Sequence, residues 1–220
     1  MIGIVVGLQA EAAIARRLGW PVAIGGGGYA GALEAATRLL AAGATALVSF
    51  GLAGGLRPGL PAGTVVTPAR IVDCHGGGWS VDMGFARQFG PVSGVVLAAR
   101  HVIGSAEAKA EAWRTTRADA VDLETAAIVH VAAGRPVAVL RAICDPAGRS
   151  LPPAALAALD AAGRIGFGAV MWSVARRPRQ ISGLVALGRE AAAARRALLG
   201  RVQAIGSLTD FPAGDDDGAD

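Results

Sequence analysis

The chain has 220 residues, 53% of them apolar, with two cysteines and a formal net charge of +4. That length and composition suit one globular domain with its own core and exclude a disordered chain or a disulfide framework. The charge excess is modest and lacks interleaved aromatic residues, which argues against a single-stranded nucleic-acid binder.

Residues 2–7 (IGIVVG) form an apolar run closed by glycine and read as a buried parallel strand. The start lacks a basic leader and carries Glu11 early, so it is not read as a signal peptide, and the expected location is the cytoplasm. Residues 11–18 are helix-like, 21–28 (PVAIGGGG) a strand entering a flexible turn, and 30–43 a helix with a glycine stop. Residues 44–51 (ATALVSFG) repeat the buried-strand pattern and lead into LAGGLRPGLPAG. Strands are expected over 64–73 and 94–104, a helix over 105–116, and a strand over 136–145. Between these last two, AVDLETAAIVHVA carries a strand end into a helix; further helices are expected over 152–175 and 181–205. No apolar run reaches the roughly 20 residues needed to span a bilayer. Strands alternating with helices predict a single α/β domain over residues 1–206, a three-layer α/β/α arrangement around a mostly parallel sheet. Residues 207–220 end in DDDGAD and are expected to form a disordered acidic tail.

In open sheets of this kind, ligands bind beyond the carboxyl ends of the strands. Residues 7–11, 51–55 and 122–124, together with Asp145, all follow or end expected strands. Glu11, Asp122, Glu124 and Asp145 would therefore meet at one glycine-lined cleft. Buried acids are costly unless paired or employed, so such a meeting points to polyol binding or acid–base chemistry. Singly, each acid has a plainer explanation. Glu11 suits a first helical turn, Asp145 a turn before Pro146, and Asp122 with Glu124 a helix N-terminus. Cys74, Cys144, His75, His101 and His130 show no metal-ligand spacing, so no metal is expected.

The segments IGIVVGLQAEA, FGLAGGLRPGLPAGTVV, AVDLETAAIVHVA and VLRAICD occur in order, and together they resemble the motif set of the nucleoside phosphorylase superfamily. The pattern is most similar to the methylthioadenosine/S-adenosylhomocysteine nucleosidases and runs from residue 1 to about 151. The glycine-rich DCHGGGWSVD and the arginine-bearing SVARRPRQISGLVALGREAAAARRALLG are similar to a narrower branch, the hopanoid-associated phosphorylases. The resemblance implies the phosphorylase fold, a homodimer, and cleavage of an adenine nucleoside at its N-glycosidic bond without metal or organic cofactor. The narrower branch implies release of adenine from adenosylhopane in bacteriohopanepolyol synthesis. A methylthioadenosine/S-adenosylhomocysteine nucleosidase is the alternative within the same chemistry; a nucleoside-binding protein without turnover is the alternative outside it.

The same resemblance implies roles for residues. Glu124 matches the carboxylate that holds the ribose hydroxyls, Asp145 the acid that protonates purine N7, and Glu11 the glutamate that positions the attacking water. Asp122 matches a supporting acid. Leu123, Gly51, Leu52 and Ala53 are expected to line the nucleoside site. There are departures. Where phosphorylases hold phosphate with an arginine and a serine, this chain has Ser49 and Leu52, which favours water as nucleophile. Backbone amides at Gly7 and residues 51–55 keep phosphate open as a co-substrate. Arg141, four residues before Asp145, is expected on the same face of a regular strand, in a pair with a site carboxylate or in a structural ion pair. The place of the purine-stacking ring falls near Lys109, leaving Trp79 or Phe85 as candidates to stack. The short HGGGWSVDMGF stretch offers little chain for a lid and suits an open, apolar mouth. The last helix combines arginines with an apolar stripe, which suits peripheral membrane contact or, more simply, packing on its own domain.

Overall fold

The computed structural model describes residues 1–153, 155 and 181–209. Most of the helix expected over 152–175, and the tail from residue 210 on, lie outside the described residues. Three parallel strands make the centre: β1 (Ile2–Val6), β3 (Ala46–Gly55) and β9 (Val137–Asp145). Ile4 pairs with Val48, and Val48 with Ala138. Their near-continuous apolar sequences are what a strand covered on both faces requires. β2 (Val22–Ile24) adds in parallel outside β1, and β4 (Val65–Val66) adds antiparallel to β9.

The sheet branches at β3. Its last residues, Gly54 and Gly55, pair antiparallel with β8 (Ala120–Asp122). β8 continues in parallel into β7 (Val95–Ala98) and β5 (Arg70–Val72), with β6 (Gly78–Ser80) at the edge. Among the described residues five strand pairings are parallel and three antiparallel, so the sheet is mixed but mostly parallel, as expected.

Helices cover both faces. α2 (Tyr29–Ala41) buries Ala32, Ala35, Ala36 and Leu39, a helical repeat of small residues that lets it lie close to Val5 and Leu47 beside α5 (Thr125–Ala132). α1 (Gln9–Ala15) and α6 (Ile181–Thr209) take the other face, where Ile4, Val6, Val48 and Phe50 meet Ala194, Leu198, Val202 and Ile205. Alternate residues of β1 thus feed opposite layers. The second half of the α6 stripe packs on this core, while Val185 nearer its start is exposed. No helix among the described residues is long and apolar enough to cross a membrane. α3 (Met83–Ala86) is a single turn, and α4 (Ala106–Thr116) starts on a cap in which Ser105 accepts from the Ala108 amide.

Several boundaries differ from expectation. β3 does not stop at Gly51 but runs to Gly55, because β9 and then β8 continue to pair with it. The single strand expected over 64–73 is two, since Pro68 between them has no N–H to give a ladder. The strand expected over 94–104 ends at Ala98. β6 was not expected: Asp73 accepts from the His75 and Gly77 amides and folds the glycine-rich stretch into a hairpin.

Candidate active site

β9 delivers two site residues. Its register against β3 steps from Ala53–Ile143 to Gly54–Asp145, so Cys144 is an extra residue in a bulge. The regular alternation expected between Arg141 and Asp145 is therefore broken, and each serves a different cluster.

The first cluster surrounds Arg141, which is 1% exposed. One guanidinium nitrogen lies 2.7 Å from Glu124 Oε2 and 2.6 Å from Ser49 Oγ. Nε lies 3.1 Å from Asp122 Oδ2 without hydrogen-bond alignment, and the remaining nitrogen reaches the Leu52 carbonyl at 3.3 Å. Asp122 also shapes the chain. Its Oδ1 accepts the Glu124 and Thr125 amides, and its Oδ2 the Thr125 hydroxyl at 2.6 Å. It thereby caps the β8-to-α5 corner and turns Glu124 inward. Glu11, at the start of α1, accepts the Leu8 and Leu52 amides, both at 2.8 Å. Two glycines make room. A Cβ at Gly7 would collide with Glu124 Oε1, and one at Gly51 would lie 2.6 Å from Glu11 Oε1 and 2.9 Å from an Arg141 nitrogen.

Three acids around one guanidinium leave surplus negative charge in a dry place. Burial pushes Glu124 up to about 7; Arg141 opposes the shift, while Asp122 and Glu11 add to it. Burial works against the Arg141 charge too, but the three acids outweigh it and hold its pKa above the ordinary range.

The second cluster is built on Asp145, 4% exposed. Its Oδ2 accepts from Lys109 Nζ at 2.5 Å, and its Oδ1 from the Cys144 thiol at 3.7 Å. Burial raises the Asp145 pKa, with Lys109 pulling against it. The Cys144 thiol is raised by its burial and by the neighbouring Asp145, which makes it a poor nucleophile.

Both clusters border one cavity of about 380 Å³. Glu11, Asp122, Glu124 and Asp145 line it, with Leu52, Ala53 and Gly54 of β3 as floor and Leu123 beside them. Among the described residues Val102, Ile103, Leu151 and Leu187 give the lining an apolar stretch, with Arg195 also on the wall. Gly51, expected to contact substrate, instead lies beneath Glu11 and Arg141 and permits their approach. Gly51 sits at φ +152°, so a side chain there is also strained. Gly51→Ala is expected to cost about 1–3 kcal/mol and to displace Glu11. Thermal unfolding together with an activity assay checks both effects; unchanged values would show that the glycine is dispensable.

Neither aromatic candidate for base stacking reaches this cavity. Phe85 is core, edge-on to Phe89 with ring centroids 5.3 Å apart. Trp79 sits on the edge strand β6, against a separate cavity of about 470 Å³ near His130 and Arg135. The β6 hairpin carries it there, and that cavity holds none of the four acids. Among the described residues no aromatic side chain lines the cavity. Ser49, considered for phosphate, is fully buried and bonded to Arg141 and to Thr125 Oγ1 at 2.8 Å. In the sequence Lys109 marks only the place of a missing ring. Its one signal in the sequence was being the sole lysine among 21 basic residues. Among the described residues no group of His, Cys, Asp or Glu is arranged to hold a metal ion.

A family model described as the Phosphorylase superfamily matches residues 85–165. No curated protein matches the chain in sequence. Among solved structures, the 5'-methylthioadenosine/S-adenosylhomocysteine nucleosidase of Neisseria meningitidis, in complex with methylthio-immucillin-A, aligns with TM-score 0.66 at 16% identity, covering 93% of this chain and 98% of that one. The corresponding Helicobacter pylori nucleosidase, with butyl-thio-DADMe-Immucillin-A, gives 0.63 at 17%, covering 92% and 97%. The futalosine hydrolase of Helicobacter pylori gives 0.64 at 17%, covering 92% and 97%. These likenesses establish a shared fold across nearly the whole chain.

Proposed function

We propose that the chain cleaves the N-glycosidic bond of an adenine nucleoside, with water as the nucleophile. One observation carries this reading: four buried carboxylates border a single cavity, Asp122 and Glu124 paired with Arg141, Glu11 held by two backbone amides beside them, and Asp145 paired with Lys109. Glu11 and Asp145 press against Gly51 and Gly54, which are separated by about 10 Å of strand. The solved structures sharing the fold bear the names of nucleoside-cleaving enzymes, two of them bound to immucillin analogues.

In this reading Glu124, anchored through Oε2, offers Oε1 to the ribose hydroxyls. Each Glu11 oxygen accepts one amide and keeps a second lone pair, enough to orient water and take its proton. Water attacks C1′, the C1′–N9 bond breaks, and its electrons pass into the purine as Asp145 protonates N7. The surplus negative charge around Arg141 favours the cationic sugar formed on the way. Water is preferred over phosphate because Ser49 and Arg141 are already committed to each other and to Thr125, Asp122 and Glu124.

The finer reading is adenosylhopane as substrate. The apolar stretch at Val102, Ile103, Leu151 and Leu187 supports a large apolar 5′ group. A small alkylthio group, as in methylthioadenosine, suits the same wall and is the second reading. Purified protein is to be offered methylthioadenosine and a hopane-linked adenosine, each with and without phosphate, and free adenine measured. Release from the lipid nucleoside alone, independent of phosphate, is expected. Efficient release from methylthioadenosine would replace the substrate assignment; no release from either would reduce the protein to a nucleoside binder.

A further inference from the structure

Asp145 does not stand alone, and its partner is unusual for this chain. Of 21 lysine and arginine residues only Lys109 is lysine, and it is 0% exposed. From α4 its Nζ reaches Asp145 Oδ2 at 2.5 Å and the carbonyls of Asp145, Pro146 and Arg149 at 3.2, 3.3 and 3.0 Å. All four partners are acceptors, and all belong to the turn leaving β9. A buried ammonium is costly unless its three donors are met, and here they are. A compact ammonium fits among these oxygens; the planar guanidinium fork does not match their arrangement.

We propose that Lys109 is the positioning residue of the general acid: it grips Asp145 by Oδ2, leaves Oδ1 toward the cavity, and stabilises the carboxylate that remains once the proton has left. This rests on the glycosidic-cleavage reading above. Oδ1 accepts the Cys144 thiol at 3.7 Å and lies beside Gly54, where a Cβ would stand 3.2 Å away, so the missing side chain keeps this oxygen open. The turn itself is pinned twice, by Lys109 and by the Arg149–Glu190 ion pair at 2.7 Å to α6. A proton passed from Oδ1 to N7 leaves a negative charge in a dry site. The ammonium at Oδ2 offsets that charge, so the acid gives up its proton more readily.

The sign of the pH effect follows. A general acid works only while protonated, so the rate falls as pH rises through the Asp145 pKa. Burial raises that value, and Lys109 draws it back. Removing the ammonium moves the basic limb to higher pH and weakens the acid. The other groups facing Asp145 are Cys144 on β9 and Glu190 on α6 with its partner Arg149. Across the cavity stand Glu11, Asp122, Glu124 and Arg195, with Arg141 behind them. Among the described residues only Lys109 forms an ion pair with the carboxylate.

The experiment compares wild type, Lys109→Met and Lys109→Arg in pH profiles of adenine release. Lys109→Met is expected to lower kcat about 10–100-fold with KM little changed, and to move the basic limb up by about one unit or more. Lys109→Arg is expected to keep the limb near wild type without restoring full kcat. A wild-type limb in Lys109→Met overturns the proposal. If that variant does not fold, wild type labelled with 15N-lysine decides, because its spectrum holds one side-chain resonance. A resonance protected from exchange, and shifted by Asp145→Asn, is expected; an unprotected one indifferent to that substitution overturns the proposal. Should wild type release no adenine at all, the glycosidic reading fails by itself, and the resonance still reports whether Lys109 and Asp145 act as a unit.

Discussion

Asp145→Asn is expected to lower kcat for adenine release by about 10²–10⁴-fold while nucleoside affinity changes only a few-fold. Asparagine keeps the shape and can present its carbonyl oxygen to Lys109, with the amide toward the cavity. That amide can hydrogen-bond N7 but has no acidic proton to give, so the base must leave as an anion. The substitution separates binding from chemistry. Lys109 retains the carbonyls of residues 145, 146 and 149, which limits the damage to stability. Single-turnover kinetics and calorimetric titration with a non-hydrolysable adenosine analogue make the comparison. Turnover and affinity surviving together would remove Asp145 from the mechanism. Their joint collapse, with the fold intact, would make it a binding residue.

The second large effect is on stability. Arg141→Met removes the cation that holds Asp122, Glu124 and Ser49 together in a fully buried place. Breaking one side of such a network typically costs about 3–5 kcal/mol, because the charges left behind have neither partner nor water. The loss should depend on pH. Glu124 is held at about 7, above its ordinary 4.5, with Arg141 opposing the rise. A carboxyl whose pKa is raised in the folded state contributes stability at low pH, and loses it as pH rises through the folded value. Without Arg141 the folded value rises further, so the variant should fall increasingly behind wild type only as pH rises past about 7, where wild-type Glu124 ionises, and its deficit at about pH 8 should exceed that at about pH 5. Denaturant midpoints at those two pH values test this. A deficit of equal size at both would mean that lost packing, not uncompensated charge, dominates.

The two predictions probe clusters of which the sequence showed different parts. Glu11, Asp122, Glu124 and Asp145 were all legible as acids at strand ends, because strand ends follow from local apolar runs and their glycine stops. The parallel core of β1, β3 and β9 was legible for the same reason. A strand buried on both faces must be apolar along its whole length, and that pattern survives without knowledge of any neighbour. The motif order then tied the four acids into one site.

What lay outside local pattern needed the fold. Lys109 is 36 residues from Asp145, and Arg141 is 92 from Ser49; no spacing rule connects such pairs. β3 runs past Gly51 only because β8 comes alongside to pair with Gly54 and Gly55. Trp79 and Phe85 are candidates for stacking in the sequence because they sit in the glycine-rich stretch HGGGWSVDMGF. The β6 hairpin and the α3 turn carry them elsewhere. The sequence by itself determined the layers of the fold and the identity of the acids, because both are written in short-range apolar periodicity and backbone propensity. The tertiary structure decided which cation each acid meets and which walls face the cavity, because charge pairing and close packing act through space between residues far apart along the chain.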